Sequence, residues 1–261
     1  MSAAAPLLQV RDLRFRYEGK PVLDGCTFDV GRDERLAILG ASGSGKSTLL
    51  RLILGILRPE SGTIRFEDRD LAGLRTEELN AARQKIGMVF QGAALISSLT
   101  VAENLALPLK ELTDKPAKEI DDVVDAKLDL VGMRRTKDQL PAELSGGMRK
   151  RIGVARALVL EPELILFDEP SSGLDPVGTT EIDELILTLG ERTKASCVVV
   201  THNMPSAFRI ATRMAMLHEG AVLEEGPPEA FRSSKNPVVR QFVAGDTDGP
   251  LGREPDDERP A

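Results

Sequence analysis

The segment Gly40-Ala41-Ser42-Gly43-Ser44-Gly45-Lys46-Ser47 constrains this chain more than any other, because it satisfies the pattern GxxxxGK[ST] in full. Arg35 to Leu39, an apolar run of strand length, leads directly into it, and Lys46 to Ile56 continues from it with helical periodicity. A strand, a glycine-rich loop and a helix in that order make a cradle for phosphate. The glycines let backbone N–H groups close around phosphate oxygens, and the helix N-terminus favours anions. Within the cradle Lys46 is expected to reach the β- and γ-phosphates, Ser47 to ligate Mg²⁺, and Thr48 to add a hydroxyl contact. The competing reading is a glycine-rich turn with a surface lysine, and the flanking strand and helix argue against it.

A second run points to the same chemistry. Leu164-Ile165-Leu166-Phe167 is apolar and strand-like, and it ends in Asp168-Glu169. This puts two carboxylates at the carboxyl edge of a sheet, where open α/β sheets bind ligands. Read alone, such a pair is a solvated loop. Together with a phosphate cradle it becomes a Mg²⁺-associated Asp168 and a neighbouring Glu169 that polarises the attacking water, which is what phosphoryl transfer asks of a protein.

The 261 residues, 41% of them hydrophobic, suffice for one large α/β domain or for a core with a subdomain. A formal net charge of −7 argues against a general nucleic-acid binder, since phosphate-backbone affinity comes from clustered Lys and Arg. No window approaches the roughly 20 apolar residues of a membrane-spanning helix, and Met1 to Val10 lacks the features of a secretory leader. Cys26 and Cys197 lie in strand-like runs without CxxC spacing and read as buried thiols.

Along the chain, Leu7 to Tyr17 and Val22 to Val30 read as antiparallel strands joined by a turn at Glu18-Gly19-Lys20-Pro21. Helical patterns dominate from about Thr100 to Leu158, with candidates at 102–107, 117–131 and 146–158. Strand Leu164 to Phe167, helix Glu181 to Leu189, strand Cys197 to Thr201 and a helix from Pro205 then alternate, implying parallel strands with crossover helices. The residues 246–261, rich in Asp, Glu, Pro and Gly, are expected to be a disordered acidic tail after a domain spanning 1–245.

Further motifs narrow the class. Leu144-Ser145-Gly146-Gly147-Met148, followed by Arg149-Lys150-Arg151, places a hydroxyl and glycine N–H groups at a helix start, suited to a phosphate or simply to an N-cap at Ser145. This run resembles the signature motif of ABC ATPases. The other motifs of that family follow in order: Tyr17 resembles the adenine-stacking aromatic, Gln91 the Q-loop glutamine, Ser172-Gly173-Leu174-Asp175 the D-loop and His202 the switch histidine. Met148 departs from the usual signature glutamine, while Ser145 and Gly147 are present.

The resemblance implies an α/β fold, a P-loop NTPase ABC cassette with an antiparallel β subdomain and a helical subdomain at about 100–158. It implies a transport-coupled ATPase using ATP and Mg²⁺, with Lys46, Gln91, Glu169 and His202 catalytic and Ser47, Gln91 and Asp168 on the metal. The nucleotide would be bound by Tyr17, by Gly40, Ala41, Ser42, Gly43, Ser44, Gly45, Lys46, Ser47 and Thr48, and by Gln91. Ser145, Gly147 and Asp175 would reach it from a second copy, in a head-to-tail dimer. A permease would hold the motor peripherally at the cytoplasmic face of the inner membrane.

Gly92 to Val101, Met148 and Asn236 to Phe242 are similar to the corresponding parts of cassettes serving MCE-type phospholipid transport. That likeness implies an MCE-domain protein and a small STAS-domain subunit as further partners, while the acidic charge argues for no nucleic acid. An importer for another small solute is the alternative, and a non-transport ABC ATPase a more distant one.

Overall fold

The structure, a computed structural model, describes residues 5–251. Strands β1 (Leu8–Tyr17) and β2 (Lys20–Val30) form a hairpin whose turn is narrower than expected, because Lys20 and Pro21 already pair in β2. Glu18 and Gly19 both have positive φ, 47° and 84°, as a two-residue hairpin turn matched to strand twist requires. Next come β3 (Arg35–Leu39), α1 (Lys46–Ile53), β4 (Ser61–Phe66) and β5 (Arg69–Asp70). β1, β2, β4 and β5 make an antiparallel four-stranded sheet in the order β2-β1-β4-β5.

Helix α2 (Thr76–Gln84) and strand β6 (Ile86–Val89) precede a helical stretch of α3 (Val101–Leu112), α4 (Ala117–Leu130) and α5 (Gly146–Ala157). α3 starts where Thr100 and Glu103 form a capping box, and it runs on through Pro108, past the expected end at Leu107. Proline removes one ladder hydrogen bond. Burial of Leu105, Ala106 and Leu109 on one face offsets that loss, each fully buried large aliphatic contributing about 1.5–3 kcal/mol.

The chain returns through β7 (Leu164–Asp168), α6 (Pro176–Thr193), β8 (Ser196–Thr201), α7 (Met204–Ile210), β9 (Arg213–His218), β10 (Ala221–Gly226), α8 (Pro228–Arg232) and α9 (Pro237–Ala244). α6 begins five residues before the expected Glu181, because Asp175 caps it and Pro176 occupies its first position. Strands β3, β6, β7, β8, β9 and β10 form a six-stranded sheet, order β10-β9-β3-β8-β7-β6, parallel except for the β9–β10 pair. β9 and β10 carry no clear period in sequence, yet β9 lies directly beside β3.

One core fills the space between the antiparallel sheet, α1 and one face of the six-stranded sheet. A second joins α3, α4, α5 and α6 to the opposite face, and a third gathers α7, α8 and α9 on β9. Cys26 and Cys197 are buried and free, and burial pushes each thiol up to about 12. Of the expected tail, 252–261 lies outside the described residues. In the preceding stretch Gln241 donates to the Asp246 carbonyl and accepts from the Leu251 N–H. Among the described residues no helix is long and apolar enough to cross a membrane.

Candidate nucleotide site

Three strand ends meet at one edge. β3 and β8 are neighbours with Leu39 opposite Thr201, and β8 and β7 are neighbours with Val200 opposite Asp168. The loop after β3, the carboxylates at the end of β7 and the histidine after β8 therefore leave the sheet side by side.

The loop Gly40 to Gly45 turns back over the start of α1. Gly40 is buried at φ 159°, and a Cβ there would stand 2.5 Å from Ser44 Oγ and 2.6 Å from the Leu217 carbonyl oxygen, closer than any side chain allows. Gly45 caps α1 at φ 98°, a left-handed conformation that favours glycine. Lys46 is 7% exposed, and its Nζ donates to the Gly40 and Ala41 carbonyls at 2.8 and 2.9 Å. Burial lowers the Lys46 pKa, while Glu169 and Asp168 oppose that shift. Ser44 Oγ is buried without a hydrogen-bond partner among the described residues. A desolvated cation and an orphaned hydroxyl beside a helix N-terminus fit a phosphate group. Ala41, Ser42 and Gly43 form the exposed rim, and Thr48 is buried in α1.

Ser47 Oγ donates to Asp168 Oδ1 at 2.8 Å across the gap between α1 and β7. Burial raises the Asp168 pKa, with the Ser47 hydrogen bond acting against it. No cluster of three or more His, Cys, Asp or Glu exists among the described residues. A hydroxyl and one carboxylate suit a hard cation such as Mg²⁺ that takes its other ligands from phosphate oxygens and water.

Glu169 follows with φ 46°, in the left-handed region, and its N–H donates to the Val200 carbonyl at 3.0 Å. One carboxylate oxygen, Oε1, lies 2.8 Å from His202 Nδ1, and the other accepts from Thr201 Oγ1 at 3.3 Å. The His202 side chain is 58% exposed while that of Glu169 is 12% exposed, so the pair faces outward from a mostly enclosed carboxylate. Gln91 Nε2 donates to Ser172 Oγ at 3.2 Å, joining the segment after β6 to the turn after β7.

Other expected residues stand apart. Tyr17, 40% exposed at the end of β1, packs edge-on against Phe15 with ring centroids 4.8 Å apart. Ser145 and Asp175 are exposed N-caps, accepting from Met148 N–H at 3.2 Å and Gly178 N–H at 2.7 Å, and Gly147 is partly exposed beside Leu174. Within this chain none of the three hydrogen-bonds to the phosphate loop, among the described residues. Sequence reasoning passed over Thr201 and over Lys150, whose Nζ reaches the Pro170 carbonyl at 2.8 Å. A buried lysine inside the run Arg149-Lys150-Arg151 gives no pattern signal that separates it from its solvated neighbours.

Comparison with known proteins gives the arrangement its family. The profile described as "ABC transporter" matches residues 23–172. The "Probable ribonucleotide transport ATP-binding protein mkl" of Mycobacterium leprae (strain TN) is 41% identical over 94% of this chain and 71% of its own length. The "Intermembrane phospholipid transport system ATP-binding protein MlaF" of Escherichia coli (strain K12) is 38% identical over 95% of this chain and 93% of its own. "Protein TRIGALACTOSYLDIACYLGLYCEROL 3, chloroplastic" of Arabidopsis thaliana is 37% identical over 94% of this chain and 75% of its own.

Among solved structures, cbiO1 from Clostridium perfringens, described as part of the ABC transporter complex cbiONQ, superposes with a TM-score of 0.81 at 31% identity, covering 92% of this chain and 95% of that one. The dimeric ABC transporter cassette MJ0796 superposes with a TM-score of 0.78 at 31% identity, covering 85% and 98%. A strand-loop-helix phosphate cradle, carboxylates on the adjacent strand end and these relatives over nearly the whole length agree: the chain belongs to the ABC transporter family, as an ATP-binding, ATP-hydrolysing cassette.

Proposed function

We propose that this cassette is the motor subunit of a bacterial transporter that moves phospholipid between the inner and outer membranes, working peripherally at the cytoplasmic face of the inner membrane. The observation that carries the reading is the likeness to the E. coli intermembrane phospholipid transport protein, which extends over 95% of this chain and 93% of that one. A second reading, ribonucleotide transport, is favoured by the name of the mycobacterial relative at 41% identity.

In the proposed site the phosphates lie in the Gly40 to Thr48 cradle with Lys46 turned onto the β- and γ-groups, and adenine stacks on Tyr17. Ser47, Gln91 and Asp168 would hold Mg²⁺, which would neutralise charge on the phosphate oxygens. Glu169 accepts a proton from the attacking water, and His202 and Thr201 keep its two oxygens in place, a hydrogen bond to each. Ser145, Gly147 and Asp175 serve the nucleotide of a second copy in a homodimer. This assignment is supported by their exposure on this chain and by the dimeric form of MJ0796.

The further partners in this reading are an integral membrane permease, an MCE-domain protein and a small STAS-domain subunit. The loop 91–100 would receive a cytoplasmic helix of the permease. Purification of the assembly with its native partners tests the cargo. Recovery of a permease, an MCE-domain protein and bound phospholipid supports the lipid reading. A complex that instead carries ribonucleotide, or a soluble solute-binding protein with another small solute, overturns it and leaves the ATPase intact. Charge substitutions at Leu95 or Leu99 are expected to uncouple transport while hydrolysis persists.

A further inference from the structure

The turn that carries Glu169 is conformationally demanding. Glu169 sits at φ 46°, a left-handed conformation that a side-chain-bearing residue keeps only where its surroundings hold it. Its own backbone has two tethers, the bond to the Val200 carbonyl and the Ser172 N–H donating to the Glu169 carbonyl at 3.1 Å. The next carbonyl, that of Pro170, is bonded by one group among the described residues: Lys150 Nζ, at 2.8 Å, which also lies 3.4 Å from the Glu169 carbonyl.

Lys150 is 9% exposed, so its ammonium has left water to make these contacts, and burial lowers its pKa. The nearby Glu169 charge partly opposes that lowering, and the hydrogen bonds the ammonium makes are to backbone carbonyls. A buried cation whose partners are backbone carbonyls of a strained turn is an expensive device, retained here at the residue beside the water-polarising carboxylate. The lysine sits on α5, the helix capped by Ser145, which is packed across β6 and α4 and is thereby a rigid support.

We infer that Lys150 is a positioning residue for ATP hydrolysis: by donating to the Glu169 and Pro170 carbonyls it fixes the left-handed turn that aims the Glu169 carboxylate. The inference rests on the assignment of Glu169 as the group that activates water. Lys150 touches neither nucleotide nor water and acts through Glu169, by holding its turn and by the charge it places near the carboxylate.

The test uses the full chain assembled with its own membrane subunits. Lys150→Met fills the same buried space without a donor. It is expected to lower kcat by about tenfold to hundredfold, the cost of a small misplacement of a catalytic group, while the KM for ATP and the melting temperature stay near wild type. Lys150→Arg, which keeps donors at a similar reach, is expected to recover most of the rate. In single turnover, Glu169→Gln with Lys150→Met should be no slower than Glu169→Gln alone, because the lysine has nothing left to position.

Wild-type kcat in Lys150→Met overturns the inference, as does a loss of ATP affinity and melting temperature in parallel with rate, which marks plain structural support. A further slowing in the double variant overturns it too. Near-normal turnover in Glu169→Gln alone instead removes the assignment beneath it.

Discussion

Two edges of this molecule carry motif residues, and they differ in how far the chain completes them. At the edge formed by β3, β7 and β8, Ser47 bonds Asp168, Glu169 is held by Thr201 and His202, and Lys46 is turned into its own loop. These polar groups are mutually satisfied, whereas the buried Ser44 hydroxyl has no hydrogen-bond partner among the described residues. At the starts of α5 and α6, Ser145 and Asp175 are exposed and satisfied by the helix each one caps. The first edge is organised toward a ligand that enters this chain. The second presents helix N-termini outward, and among the described residues the Ser145 and Asp175 side chains bond only to the helices they cap. The difference fits the proposed head-to-tail dimer, in which each copy would supply part of two sites, and a dimeric assembly is described for MJ0796.

The comparison predicts that the two edges fail differently. Replacing Glu169 with Gln keeps the side chain's shape and one of its two acceptor oxygens while removing the proposed base. Steady-state hydrolysis should fall by about a hundredfold or more and an ATP-bound dimer should accumulate on size exclusion. Turnover within a few-fold of wild type would remove Glu169 from the chemistry. Gly147→Asp puts a carboxylate where the second edge would meet a phosphate. Hydrolysis should fall nearly as far, yet ATP binding to the separated chain, read by calorimetry, should persist. Loss of binding in the monomer would mean that Gly147 serves its own chain, and the two-edge picture would break.

Tyr17 tests how far the first edge reaches into the antiparallel sheet. A base stacked on an aromatic ring is worth about 1–3 kcal/mol, so Tyr17→Ala should raise the KM for ATP by about fivefold or more with little change in kcat. An unchanged KM would leave the Phe15–Tyr17 pair as a strand-end packing contact.

The smallest effect concerns stability. Burial raises the pKa of Asp168 above its ordinary 3.8, so the folded state holds its proton more tightly than the unfolded state does. The stability this group contributes is therefore present below pH 3.8 and is lost as pH rises through the raised folded value. Asp168→Asn, which keeps an acceptor for Ser47, should melt a few °C higher than wild type at neutral pH while hydrolysis is lost, a gain of the kind seen when a functional charge is relieved. The advantage should vanish in acid. An equal or lower melting temperature at pH 7 would show that the buried Asp168 carboxylate carries no net cost to the first edge.

Much of this was legible before any fold was known. The Gly40 to Ser47 loop, the apolar strands ending at Leu39 and Phe167, and the order of the remaining motifs depend on local spacing, and spacing is preserved in the chain itself. Helix limits were less legible. The first turn of α6, Val177 to Thr180, is partly or fully exposed and gives no apolar period, and the cap at Asp175 sets its start. In β9, Met214 to Leu217 is a short apolar run compatible with strand or helix, and only pairing with β3 decides it.

The sequence by itself determined the chemistry available: which residues can cradle phosphate, which carboxylates stand after a strand, and which hydroxyls and glycines open helices. Tertiary structure decided which of them share an edge. It brought Thr201 and His202 onto Glu169 across a distance of more than thirty residues, and it turned Lys150 inward onto the Pro170 carbonyl while its neighbours remained more exposed. The physical reason is that a side chain's desolvation and its long-range partners follow from how sheets and helices pack, and no local period in the chain encodes them.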